Sequence, residues 1–256
     1  APVVLRTRDQ GLLPHNFPSI TKLSSFVVAI LPKVGSSYTY LDASSKNGYL
    51  NVLAEPLLVE KARLVMKGKK SQWVNLQKIS KSQKNTIIDA VLSADGKLTG
   101  TQTTRHEGLA AMKYRQEKGI NAFEPNATET TDFNIQGEVT NGLISVCPYL
   151  QAVENPFKAE TRKMPVEFPS LGTEHVVINI ALPEGMAFAG EAKNTIITTP
   201  DKGLEGRFFT TPSEGKVQMS SQFSINKISH SEKSYTDLRK IFDMLSAFTT
   251  EKITVK

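Results

Sequence analysis

Residues 24–31, Ser-Ser-Phe-Val-Val-Ala-Ile-Leu, form an unbroken apolar run. A run of that length suits a strand covered on both faces. Lys33-Val34-Gly35-Ser36 supplies a turn, and residues 38–41 read as the returning strand. Residues 62–66 and 72–76 then predict a hairpin turning through Lys67-Gly68-Lys69-Lys70. The polar stretch 79–86 reads as a linker. After it, 87–92 and 98–104 alternate around Ala94-Asp95-Gly96-Lys97, a strong turn signal.

The period changes at 106–118. Leu109, Ala110, Ala111, Met112 and Tyr114 cover one broad face, which predicts a helix stopped by Gly119. Strands follow at 133–139, 142–150, 164–168, 175–182, 195–199, 206–211 and 216–228. Helical spacing returns at 235–248, where Leu238, Ile241, Phe242, Leu245 and Phe248 share a face. Ser234 is the expected N-cap, with Asp237 imitating a capping box. Residues 252–256 read as a last strand. The expected class is α+β, mostly β, with two helices.

The chain's 256 residues suffice for one large or two ordinary domains with real cores. The apolar runs are all well short of the roughly 18 residues that would span a bilayer, so no membrane insertion is expected. The net charge of +6 is concentrated between Lys61 and Lys84. A groove for nucleic acid would add stacking aromatics to such a patch. Only Trp73 lies nearby, so the lysines read as a solvated hairpin turn and no nucleic-acid partner is expected.

Candidate chemistry is sparse. The single cysteine, Cys147, excludes an internal disulfide and sits in a strand pattern with no base beside it, so it reads as a buried, inert thiol. His15, His106, His175 and His230 show no metal-ligand spacing. His175 and His230 read as ordinary polar positions. There is no Gly-rich phosphate loop of the G-x-x-x-x-G-K-[ST] type. Neither a metal nor a cofactor is expected.

The opening stretch, APVVLRTRDQGLLPHNFPS, and the segment SITKLSSFVVAILPKVGSSYTYLDASS resemble the closing third of a transglutaminase-like (papain-type) catalytic core. In that family one strand of this passage carries a His and the next an Asp, which complete a triad with an upstream Cys. Asp42 matches the Asp, and the His position aligns with Ser25. A serine hydroxyl titrates far too high to act as a general base near neutrality. His15, in a loop that borders the cleft in that family, is the one histidine that could approach Asp42. The resemblance puts the nucleophile upstream of Ala1, so Ser25 and Asp42 are read as vestigial triad positions and no catalytic residue is assigned.

A second resemblance covers 87–256. It is carried by Asn155-Pro156-Phe157-Lys158, Arg162-Lys163-Met164-Pro165-Val166-Glu167-Phe168, Leu182-Pro183-Glu184-Gly185, Ser224-Ile225-Asn226-Lys227 and Glu251-Lys252-Ile253-Thr254-Val255-Lys256. This succession resembles the domain of unknown function that follows transglutaminase-like cores in bacterial multidomain proteins. The two resemblances imply a core remnant at 1–80 and a β-sandwich-like accessory domain with two helices at 87–256. They also imply a non-catalytic structural or binding segment of an exported protein, periplasmic or at the cell surface. Peptide or glycan would be its ligand, and the upstream domains of the parent chain its partners. The rival expectation is one part of an active thiol hydrolase or transamidase whose Cys lies upstream.

Overall fold

The computed structural model describes residues 1–13, 19–31 and 37–256. Its chain divides into two units. Unit 1 comprises Ala1–Gln83, His106–Ala127 and Phe168–Gly172; unit 2 comprises Lys84–Arg105, Thr128–Glu167 and Thr173–Lys256. The architecture is α+β and mostly β, with two α-helices among the described residues.

Unit 1 is built on a five-stranded antiparallel sheet. Its strands are β1 (Pro2–Leu5), β2 (Ser25–Ile30), β3 (Thr39–Leu41), β4 (Ala62–Leu64) and β5 (Gln72–Val74), in the order β3-β2-β1-β4-β5. Strand alternation decides its two faces. Val3, Leu5, Val27, Ala29, Tyr40, Ala62 and Leu64 point one way and are buried. Phe26 points the other way and is 63% exposed, with Trp73 at 46% and Ile30 also exposed. The expectation that residues 24–31 are covered on both faces is therefore corrected: one face is buried and the other open. On that open face the Arg63 guanidinium lies 4.6 Å from the centre of the Trp73 ring, a cation–π contact.

Helix α1 (Leu109–Lys118) also belongs to unit 1. It starts three residues later than the pattern predicts, because residues 106–108 finish a strand. Leu109, Ala111 and Met112 are buried. Gly119 ends it in the left-handed region at φ 67°, a conformation that glycine adopts without a Cβ penalty. Arg115 is buried in this helix. Its guanidinium donates to the backbone carbonyls of Asn126 (3.2 Å), Asn47 (2.9 Å) and Glu124 (2.8 Å), and burial lowers its pKa.

The large sheet has seven strands: β6 (Ser82–Leu92), β7 (Lys97–Gly108), β8 (Asn126–Gln136), β12 (Gly172–Ala181), β13 (Lys193–Thr198), β14 (Leu204–Ser213) and β15 (Lys216–Ile225). Their order is β13-β14-β15-β12-β6-β7-β8. The expected linker at 79–86 is instead largely the start of β6, whose polar outward positions (Gln83, Asn85) hid its strand character. Ser82 and Gln83 of β6 belong to unit 1 and the strand from Lys84 onward to unit 2. Thr86, Ile88, Ala90 and Leu92 alternate onto the buried face, joined by Ile178 and Ile180 of β12 and Val217, Met219, Ser221 and Phe223 of β15.

Helix α2 (Tyr235–Thr249) covers the β13, β14 and β15 side of that face. Its apolar stripe is the one its spacing predicts: Leu238, Ile241, Phe242, Leu245 and Phe248 are all buried. Phe242 meets Phe157 and Phe223 edge-on, with centroids 5.1 and 4.9 Å away. Phe248 meets Phe208 at 5.2 Å. The expected side-chain cap from Ser234 does not form, because Ser234 already has helical dihedrals after the 3-10 turn Glu232–Ser234. Two small sheets complete unit 2. One has the order β17 (Ile253–Val255), β10 (Leu143–Val146) and β9 (Glu138–Thr140), and the other pairs β11 (Val166–Glu167) with β16 (Ser229–His230).

Candidate functional site

Ser25 opens β2, with its Cα opposite Leu5. The β2–β3 ladder pairs Val28 with Leu41, Ala29 with Tyr40 and Ile30 with Thr39. Asp42 follows immediately, so the same register would set it level with Val27. Ser25 is two residues from Val27 and shares its face of the strand. The two positions singled out by the family pattern thus lie on one side of neighbouring strands. Asp42 is 7% exposed, and its Oδ1 accepts from the Ser44 backbone N–H and the Ser44 hydroxyl. That is the turn-forming use of an aspartate, in which the side chain caps the two residues that follow. His15, the third candidate, lies outside the described residues.

Cys147 is half-buried, and its sulfur lies 3.9 Å from the Tyr149 carbonyl oxygen and 3.8 Å from that of Thr249. Cys147 follows the end of β10 and keeps part of its surface accessible, which corrects the expectation of a buried thiol. His230 is fully buried rather than an ordinary polar position. It alternates inward with Ile228, its Nε2 hydrogen-bonds the Lys227 carbonyl at 3.0 Å, and burial holds its pKa below the ordinary 6.5. His106 lies in β7, two residues before its end, is buried, and stacks on Tyr114 at 4.6 Å. His175 hydrogen-bonds Ser220 at 3.2 Å. Among the described residues no group of three or more His, Cys, Asp or Glu could hold a metal ion. No helix among them is long and apolar enough to cross a membrane.

Unit 2 contains a groove that the sequence reading missed. It holds about 590 Å³, within the ~300–1,000 Å³ range of small-ligand sites. Its floor is the inward face of adjacent strands: Thr86 and Ile88 from β6, Glu174 and Val176 from β12, Ser221 and Phe223 from β15. Leu245 and Thr249 of α2 and the segment 149–153 form the opposite wall. The groove opens where helix α2, packed over β13–β15, stops covering the sheet. Its sequence signal is a break in polarity. Strand positions that alternate inward should be apolar, yet here they are Thr86, Gln102, Thr104, Glu174 and Ser221. The Tyr149 hydroxyl donates to Ser221 Oγ at 3.3 Å, and burial raises the phenol's pKa so that it stays protonated.

Comparisons with known proteins add a family model and a fold. The model described as a domain of unknown function with a solved structure (DUF3858) matches residues 141–255. No curated protein matches the chain. The fold is similar to that in the crystal structure of a putative protease from Parabacteroides distasonis, with a TM-score of 0.58 and 14% sequence identity. That likeness covers 99% of this chain and 39% of the other, so the chain spans well under half of the protein it matches.

Proposed function

We propose that this chain is a non-catalytic structural and binding segment of an exported bacterial protein of the transglutaminase-like kind, with a peptide as its ligand. The observation that carries the reading is the state of Asp42. Its carboxylate is buried and engaged by Ser44, and the triad position on the neighbouring strand is Ser25 rather than a histidine. A thiol acyl transfer needs a nucleophile, a base and a group that orients the base. The chain's one cysteine is in unit 2, in sheet surroundings far along the sequence from that corner. Similarity to a putative protease and to the domain of unknown function supports the family reading. The export reading rests on the family resemblance of the sequence alone.

The test is an ammonia-release assay on glutamine-containing peptides with the intact chain. The expected result is no turnover above buffer. Turnover that disappears in Cys147→Ala would overturn the reading.

A further inference from the structure

We propose that the groove of unit 2 binds the C-terminal end of a peptide, taking its free carboxylate on hydroxyl protons and its last, apolar side chain against Phe223 and Leu245. The proposal rests on the reading of this chain as a binding segment, and it names the ligand that segment takes.

A hydroxyl carries one proton and two lone pairs. Tyr149 donates its proton to Ser221 Oγ, which leaves the Ser221 proton over. Thr86 and Thr104 share one hydrogen bond at 3.1 Å, so one of their two protons is left over as well. Gln102 Nε2, which can only donate, lies 3.5 Å from Thr104 Oγ1. Ser221 and the Thr86–Thr104 pair therefore each keep one hydroxyl proton, and Ser221 and Thr86 line the groove. Both residues are more than nine-tenths buried. A buried donor without an acceptor is costly, and a ligand that supplies an acceptor recovers that cost.

The remaining lining selects among acceptors. Lys84 stands at the same groove and favours an anion over a neutral carbonyl. Glu174, also lining it, disfavours a polyanion and can accept from the backbone N–H groups of a peptide. Ile88, Val176, Phe223 and Leu245 give the site an apolar wall. A single carboxylate, neighbouring amide donors and an apolar side chain together describe a peptide C-terminus.

The test uses the full chain and isothermal titration with Gly-Gly-Ala-Leu as the free acid, as the C-terminal amide, and with serine in place of leucine. The free acid is expected to bind at least tenfold more tightly than either variant. Thr86→Val, which keeps the shape and removes the hydroxyl, should weaken the free acid about tenfold. Ala152→Trp, at an exposed position on the groove's edge, should abolish binding while leaving the circular dichroism spectrum unchanged. Equal affinity for acid and amide would overturn the proposal, as would no detectable binding at millimolar peptide. Competition by chitotetraose would overturn it in favour of a glycan. These outcomes are read independently of the ammonia-release assay: turnover there removes the non-catalytic reading, and loss of the acid-over-amide preference removes this one.

Discussion

Ser44 gives Asp42 Oδ1 two hydrogen bonds, one from its backbone N–H at 3.0 Å and one from its hydroxyl at 2.6 Å. The pair closes the turn that leaves β3. Asp42→Ala should destabilise the chain by about 1–2 kcal/mol, the usual cost of removing a capping side chain. Asp42→Asn keeps an acceptor and should cost less than half as much. Urea unfolding of the two variants checks this. An Asp42→Ala protein as stable as wild type would mean that the carboxylate has no structural role.

Phe242 is edge-on to two rings at once and fixes α2 to the sheet through Phe223. Phe242→Ala should cost about 3–5 kcal/mol, since the removed ring leaves a cavity between rigid neighbours. Phe242→Leu should recover about half of that. A midpoint of unfolding shifted by less than a tenth of a molar in urea would show that the helix is not anchored there.

His230 carries the clearest pH signature. Its folded pKa lies below 6.5, because burial disfavours the charged ring. Above pH 6.5 both folded and unfolded forms are neutral, and the stability tied to this group is fully present. As pH falls through 6.5 the unfolded chain takes up a proton that the folded chain refuses, so stability is lost toward acid. Carboxylates contribute to acid unfolding too, so the comparison is of slopes. Between pH 7.5 and 5, His230→Gln should lose less stability than wild type. Parallel curves would remove His230 from the account.

The strands were legible because a period of two ties every second residue to one face, as Ile88–Leu92 and Val217–Phe223 show. Asp42 was legible as a position in a family pattern, and its bond to Ser44 is local enough to read from Asp-Ala-Ser alone. The groove was not legible. Lys84 and Glu174 are 90 positions apart in the chain, and only the strand order β15-β12-β6-β7 brings them to one cavity. The burial of His230 escaped for a similar reason: the two-residue strand Ser229–His230 is too short to show a period, and its partner, Val166–Glu167, lies far back in the chain.

The open side of the five-stranded sheet has a consequence for how the protein behaves as a solute. Phe26, Ile30 and Trp73 present adhesive surface on a molecule whose net charge is +6. In dilute buffer, at about 10 mM salt, the screening length is roughly 30 Å, and like-charged copies repel before such surfaces meet. At about 1 M it falls to roughly 3 Å. Sulfate would act twice, by cancelling that repulsion and by strengthening apolar association. Light scattering should therefore report single molecules at low ionic strength and growing clusters as ammonium sulfate is added, with Phe26→Ser delaying their onset.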